Sequence, residues 1–293
     1  MSKIQGLKTN KFVSALLFGC LTLSISHSAL AHNHKNKALE AVVAERPADI
    51  RKRDAFRHPV ETLTFFQVKP GMAVAEALPG GGWYSTILAN YLGKDGELYG
   101  INYVDSMWAR FSFFNEEAIA GRIAATKEFP GQVAEFTDNG IKSDGFTFDT
   151  VPDSLNGKLD RVLFVRALHN LSRFEDDAGT MTQALKAAHQ MLKPGGMVGV
   201  VQHEVPESVP DASAKGDRGY LKTSQVKAAF KAAGFELVAS SDINKNPKDK
   251  PANDEIVWRL PPSLLGARDD EDKRKAMEAI GESNRMTLLF KKI

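Results

Sequence analysis

The chain has 293 residues, of which 43% are hydrophobic and 25% are charged. This composition is typical of a globular domain and excludes an intrinsically disordered chain, so one domain with insertions is expected. The formal net charge of +2 is too small to favour nucleic-acid binding.

Residues 1–31 have the pattern of a secretory signal peptide. Three lysines precede the apolar run FVSALLFGCLTLSI and the small-residue sequence SALA. The run is shorter than the ~20 residues of a membrane span, so we expect cleavage after Ala31 and no stable span afterwards. The mature chain is then exported, most simply to a periplasm, with a formal charge of −1 and no cysteine. A lipoprotein anchored at Cys20 is less favoured, because the apolar run continues past that residue.

Residues 32–69 predict a lead-in followed by a helix. The stretch from 32 to about 48 is polar and alanine-rich, and HNH at 32–34 lacks the third fixed ligand of a metal site. The following ADIRKRDAFRHPVETLTFF predicts a helix that is broken at Pro59, because proline lacks a backbone N–H.

From residue 70 onward, short apolar runs alternate with longer helical segments, which predicts an α/β fold: a parallel sheet with helices on both faces. The predicted strands are 72–78, 96–103, 133–138, 160–168, 197–204, 235–241 and 285–293. The predicted helices are 83–93, 176–192 and 224–234. Segments 205–222 and 244–284 do not follow the alternation, and loops of this length are usually lids or disordered. We therefore treat 244–284 as an insertion in a domain of residues 70–293.

The most informative stretch is EALPGGGWYS, residues 76–85, between the first predicted strand and its helix. A strand, a glycine turn and a helix form the first unit of nucleotide-binding sheets. Gly80 and Gly82 supply two glycines of the dinucleotide pattern G-x-G-x-x-G, but Ser85 occupies the third place. Glu76 adds a carboxylate at the end of the strand, and glycines let a ligand approach the backbone closely.

This acid and glycine turn resemble motif I of the class I S-adenosylmethionine-dependent methyltransferases, in which an acid precedes a G-x-G-x-G turn. The LKPGG sequence at 192–196 is similar to the same family. More narrowly, E-x-x-P-G-G-G-W-Y resembles a group of predicted bacterial methyltransferases that often carry signal sequences. The resemblance implies a Rossmann-like seven-stranded sheet, mostly parallel with an antiparallel last strand, and S-adenosylmethionine as the cofactor.

Two positions depart from the family pattern. Leu78 stands where the first glycine of motif I usually falls, and Asn102 stands where an acid generally binds the ribose hydroxyls. Asp138 would follow the third strand, where the family often contacts the adenine amino group; a turn-forming role is the alternative. The cofactor-binding residues that the resemblance implies are Glu76, Gly80, Gly81, Gly82, Asn102, Tyr103 and Asp138.

Methyl transfer requires alignment of donor and acceptor and sometimes a base for the acceptor's proton. His169 follows the fourth predicted strand and His203 ends the fifth, on the rim where the family presents residues to the acceptor. Both are candidate catalytic bases, and a loop-capping or polar strand-end role is the alternative for each. The expected acceptor is a small molecule or an exported polymer.

Two other functions stay open. An exported ligand-binding protein that keeps the fold without catalysis would account for Leu78, Asn102 and the predicted export, since S-adenosylmethionine is made in the cytoplasm. A nicotinamide-dependent oxidoreductase is disfavoured by Ser85 in place of a glycine and by Asn102 in place of an acid.

Overall fold

A seven-stranded sheet forms the centre of the structure, a computed structural model that describes residues 36–293. Its strands are β1 (Ala73–Ala77), β2 (Glu97–Asn102), β3 (Lys142–Thr147), β4 (Leu159–Val165), β5 (Leu192–His203), β6 (Phe235–Ser241) and β7 (Arg285–Lys292). The spatial order is β3-β2-β1-β4-β5-β7-β6, and β7 runs antiparallel to both of its neighbours. The predicted mostly parallel sheet with an antiparallel last strand is confirmed.

Helices cover both faces of this sheet. They are α1 (Lys37–Glu45), α2 (Ala48–Arg51), α3 (Asp54–Arg57), α4 (Pro59–Phe65), α5 (Trp83–Leu92), α6 (Glu116–Lys127), α7 (Phe129–Phe136), α8 (Leu168–Arg173), α9 (Glu175–Ala178), α10 (Thr180–Met191), α11 (Thr223–Ala232) and α12 (Glu271–Ile280). Successive side chains of a strand point to opposite faces, so Val74 packs in one buried cluster and Ala75 and Ala77 in another. Across the described chain, every helix is too short or too polar to cross a lipid bilayer.

The predicted third strand, 133–138, is wrong. Residues 129–136 form helix α7, and the third strand is instead β3, with the sequence KSDGFT. Since β3 pairs only with β2, it is an edge strand and its first four residues are exposed or half-buried. A search for apolar runs therefore passes over β3 and selects the apolar face of α7.

Other element boundaries shift by a few residues. β4 ends at Val165, so 166–168 belongs to the turn into α8 rather than to the strand. The predicted helix 176–192 is divided into α9 and α10 at Gly179, whose φ of 61° interrupts the helical path. The LKPGG sequence opens β5 and forms an irregularity in its pairing with β4, rather than a turn before the strand.

The lead-in is more ordered than its polar sequence predicts. Helix α1 buries Leu39 and Val43 against the domain, although it was expected to have little regular structure. Helix α4 begins at Pro59, which confirms the predicted break. The signal peptide predicted for residues 1–31, and HNH at 32–34, lie outside the described residues.

The insertion 244–284 is folded against the domain. Asp249 is buried and accepts hydrogen bonds from the Tyr220 hydroxyl, the Arg259 guanidinium and the Asn284 backbone N–H. Tyr220 belongs to segment 205–222, so this carboxylate joins the two segments that did not fit the alternation. Helix α12 at the end of the insertion buries none of its residues.

The packing of α6 and α7 on β3 can be tested at Gly145, which is crowded by these helices, with the open Gly121 of α6 as the control. A Cβ at Gly145 would lie 1.9 Å from the Thr126 carbonyl oxygen, whereas a Cβ at helical Gly121 meets nothing within 4 Å. We expect Gly145→Ala to lower the free energy of unfolding by about 1–3 kcal/mol through overpacking. Gly121→Ala should raise it by about 0.5–1 kcal/mol. Denaturant titration measures both, and equal effects would contradict this packing.

Candidate functional site

The carboxyl ends of β1 and β4 mark the point where the strand order of the sheet reverses. In open α/β sheets, ligands bind in the crevice at this point. Each strand is followed by a residue with positive φ, Leu78 at 56° and Arg166 at 59°. This conformation is unfavourable for residues other than glycine, and costs about 1–3 kcal/mol, so it persists only where surrounding structure fixes it. Two of the five non-glycine residues with positive φ in the described chain therefore lie at the reversal point.

The turn after β1 contains two kinds of glycine. A Cβ on Gly82 would lie 2.3 Å from the Phe136 ring, so Gly82 is required for packing of α5 against α7. Gly81 has ordinary backbone geometry and no heavy atom within 4 Å of its Cβ position. Gly80 has a φ of 57°, and its Cβ position would make only an ordinary contact, 3.8 Å from the Leu78 carbonyl oxygen. Gly80 and Gly81 thus present bare backbone to open space.

A first cavity of about 490 Å³ adjoins this turn beside β2. Trp108, Phe111 and Phe114, from the segment after β2, form an aromatic wall with ring centroids 5.7–6.1 Å apart. The Trp108 Nε1 is buried and has no hydrogen-bond partner among the described residues. Aromatic faces with one unpaired donor suit a flat heteroaromatic group such as a nucleobase.

Asn102 and Tyr103 also line the first cavity, where β2 ends. The Asn102 amide donates to the Thr126 hydroxyl at 3.0 Å, and its oxygen accepts from the Tyr103 backbone N–H at 3.2 Å. Of the described residues that line this cavity, none is a carboxylate, and Gln132 and Asn170 supply the remaining amides. The hydroxyls of a bound sugar would therefore meet neutral amides.

Three residues that the family resemblance implied do not line this cavity: Glu76, Gly82 and Asp138. Glu76 lies beneath the turn, where it is buried and accepts a 2.6 Å hydrogen bond from the Ser85 hydroxyl. Burial raises the pKa of Glu76 to about 7. Asp138 follows helix α7 and precedes β3, so its expected position after the third strand is wrong.

A second cavity, of about 570 Å³, lies beside β4 and β5. It is lined by both candidate bases, His169 and His203, and by Trp258 of the insertion. The residues it shares with the first cavity are Leu78, Pro79, Gly80, Gly81, Arg166, Asn170 and Trp258. The glycine turn therefore borders both cavities, and ligands in the two would approach each other there.

The two histidines are close and are held by neutral partners. Gln202 donates its amide to the Gly219 carbonyl at 2.9 Å, which turns its oxygen toward His169 Nδ1, 3.3 Å away. Nδ1 is then the protonated nitrogen of His169, and Nε2 carries the free lone pair. Burial lowers the pKa of His169 to about 4, and burial beside His169 holds the pKa of His203 well below its usual range. Neither histidine is charged at pH 7.

Several lining residues escaped the sequence-based prediction. Arg166 directly follows the apolar run VLFV. The same run predicts the strand end that places His169, three residues later, near the site. Arg53 and Arg57 come from α3 and the turn before it, and Trp258 comes from the insertion. Their local sequences give no signal, because only the tertiary fold brings them to the sheet. In residues 36–293, no group of His, Cys, Asp and Glu side chains is placed to hold a metal ion.

The buried carboxyl of Glu76 gives a pH-dependent test. Its folded-state pKa of about 7 lies above the usual 4.5, so its contribution to stability is present below pH 4.5 and is lost as pH rises to 7. The loss totals roughly 3 kcal/mol. Relative to the wild-type protein, Glu76→Gln should gain that much unfolding free energy between pH 4.5 and pH 8.

Denaturant titration at both pH values measures this gain. The control position is Glu236, an exposed carboxylate of β6 that forms an ion pair with Lys291. Glu236→Gln should show the same difference from the wild type at both pH values. A pH-independent difference for Glu76→Gln would show that its carboxyl is not held in the buried, protonated form.

No family model matches this chain, and no curated protein matches its sequence. Solved structures match its fold. Geranyl diphosphate C-methyltransferase from Streptomyces coelicolor A3(2), in complex with Mg²⁺, geranyl diphosphate and S-adenosyl-L-homocysteine, has a TM-score of 0.51 and 12% identity. The match covers 92% of this chain and 89% of that one. The [4+2]-cyclase SpnF has a TM-score of 0.51 and 14% identity, over 87% of this chain and 91% of that chain. The chain therefore has the fold of the S-adenosylmethionine-dependent methyltransferases.

Proposed function

We propose that this protein is an S-adenosylmethionine-dependent methyltransferase that holds its cofactor in the first cavity and its methyl acceptor in the second. The observation that carries the proposal is that both cavities border Gly80 and Gly81 at the reversal point of the sheet. Transfer between two ligands requires that they be held in contact and aligned, which adjoining cavities provide.

The residues of the first cavity fit the parts of this cofactor. The aromatic wall of Trp108, Phe111 and Phe114 suits the adenine, and the bare backbone of Gly80 and Gly81 admits the methionine portion. Amides meet the ribose hydroxyls. When bound, S-adenosylmethionine would supply an electrophilic methyl group on a sulfonium. The acceptor's nucleophilic atom would bond to that methyl carbon in line as the carbon–sulfur bond breaks, with the neutral thioether S-adenosylhomocysteine as the leaving group.

The second cavity supplies the groups that act on the acceptor. His169 is neutral at pH 7 and carries its free lone pair on Nε2, so it is the candidate base for the acceptor's proton. His203 lies beside it, with the ring centroids 5.4 Å apart, and its Nδ1 is 2.6 Å from the Ser283 hydroxyl. A cavity of about 570 Å³ favours a small-molecule acceptor over a polymer.

A second candidate function is an exported ligand-binding protein without catalysis. The observation that favours it is the lack of a carboxylate among the described residues that line the first cavity. Export itself is a proposal that rests on the pattern of residues 1–31. Both functions are compatible with binding of S-adenosylhomocysteine. An assay for methyl transfer separates them, because only the first function includes catalysis.

Calorimetric titration of the full chain with S-adenosylhomocysteine tests the proposed function directly. We expect micromolar binding, which Gly81→Phe abolishes by adding bulk to the wall that the cavities share. Gly121→Phe, at an open position on α6 outside both cavities, is the matched control and should bind normally. Absence of binding at millimolar ligand by a folded wild-type chain would overturn the assignment.

Asn102 offers a gain-of-affinity test. Asn102→Asp keeps an acceptor at the end of β2 and adds the charge that strengthens hydrogen bonds from ribose hydroxyls. We expect affinity for S-adenosylhomocysteine to rise about tenfold, equivalent to roughly 1.4 kcal/mol. The same titration measures it, and an unchanged or weaker affinity would show that Asn102 does not face the sugar.

A further inference from the structure

The second cavity carries an excess of positive charge. Arg53, Arg57 and Arg166 line it, and Glu282 is the one carboxylate among its described lining residues. Glu282 is already engaged by Arg53 at 2.9 Å and Arg57 at 3.1 Å, and also by Arg285 behind the cavity wall at 3.1 Å. One negative charge therefore faces four guanidinium groups.

The neighbouring titratable groups do not offset this excess. Asp54, on the same helix as Arg57, is held by Arg46 at 2.7 Å. His169 and His203 are neutral at pH 7. Burial without sufficient counter-charge lowers the pKa of Arg57 to about 9 and that of Arg166 to about 10. The positive charge of the cavity wall is therefore not neutralised by the neighbouring side chains.

Each of the three lining arginines has a buried nitrogen without a hydrogen-bond partner in the described part of the chain. These atoms are Arg53 Nη2, Arg57 Nη1 and Arg166 Nε. Arg57 is only 2% exposed, so solvent does not satisfy it. Buried donors in folded proteins are almost always paired, so these three side chains leave hydrogen-bonding capacity unused beside the cavity.

Two other buried arginines, Arg161 and Arg285, are fully paired. Arg161 donates to the backbone carbonyls of Phe66, Asp160 and Gln67 at 2.7–3.0 Å. Arg285 donates to the carbonyls of Ser283 and Phe56 and to Glu282. All three nitrogens of both side chains have partners. Unpaired guanidinium nitrogens also occur outside the cavity, on Arg46 and Arg259, so the second cavity is distinguished by gathering three such side chains around one space.

The rest of the cavity is largely apolar. Trp83 lies under the guanidinium of Arg57, 4.6 Å from ring centroid to Cζ, and the insertion contributes Trp258, Leu260 and the two prolines at 261–262. Such a wall suits an apolar body, and guanidinium groups match the geometry of carboxylate and phosphate oxygens.

We propose that the second cavity binds an organic anion, a carboxylate or phosphate ester with an apolar body, through Arg53, Arg57 and Arg166. Only the further step, that this anion is the methyl acceptor, rests on the proposed function. The binding site itself stands on the charge, the unpaired donors and the apolar wall.

The test is calorimetric titration of the full chain with four probes: benzoate, phenyl phosphate, inorganic phosphate and the neutral benzamide. At least one organic anion should bind ten or more times as tightly as benzamide. Arg53→Gln and Arg166→Gln should each weaken that binding at least fivefold. Arg274→Gln, which removes a charge on exposed helix α12, is the matched control and should bind like the wild type.

Thermal unfolding of the unliganded variants guards against a folding defect. Arg166→Gln removes a buried, unpaired charge, so its Tm should equal or exceed that of the wild type while anion binding weakens. The stronger of benzoate and phenyl phosphate identifies the anionic group.

Three results would overturn the proposal: no anion binds, benzamide binds as tightly as the stronger of benzoate and phenyl phosphate, or neither variant weakens binding. Inorganic phosphate binding as tightly as phenyl phosphate would overturn the role of the apolar wall. A parallel titration with S-adenosylhomocysteine keeps the two proposals apart. Anion binding without S-adenosylhomocysteine binding would sink the methyltransferase function alone, and the reverse result would sink the anion site alone.

Discussion

The parallel pairing of β1 with β4 is the constraint on which the rest of this site depends. Ala77 lies opposite Phe164, so the two strands end at nearly the same level and both chains turn through a left-handed residue. The helices that follow then diverge, because α5 packs in the cluster on one face of the sheet and α8 packs in the cluster on the other. A crevice opens between them, bordered by Leu78 and Arg166.

The site departs from the rules that stabilise the remainder of the protein. The core is apolar and closely packed, and Arg161 and Arg285 have a partner for each guanidinium nitrogen. At the crevice, by contrast, a leucine and an arginine adopt strained backbone conformations, and guanidinium donors are buried without partners. Such conflicts between local preference and global fold concentrate at functional sites, where a ligand completes what the chain leaves unsatisfied.

Much of the sheet was predictable because strands that are buried on both faces have continuous apolar sequences, such as VLFV of β4. β3 was not, since a polar edge strand has no such signature. The glycine turn was predictable from spacing, although Gly82 serves packing and Gly81 faces the cavities. Arg53 and Arg57, at the two ends of α3, reach the site only through the tertiary fold. No local sequence pattern therefore predicts that they line the second cavity.

The buried carboxylate of Asp249 ties together the two segments that adjoin the second cavity. It binds Tyr220 of segment 205–222 and Arg259 of the insertion, and the Val257 N–H donates to the Arg218 carbonyl at 2.9 Å. Trp258, which lines both cavities, is therefore fastened on each side to these bonds. Any motion that withdraws Trp258 must carry segment 205–222 with it or break an ion pair inside the protein. Segments 205–222 and 244–284 are thus coupled to each other around Trp258 rather than independent.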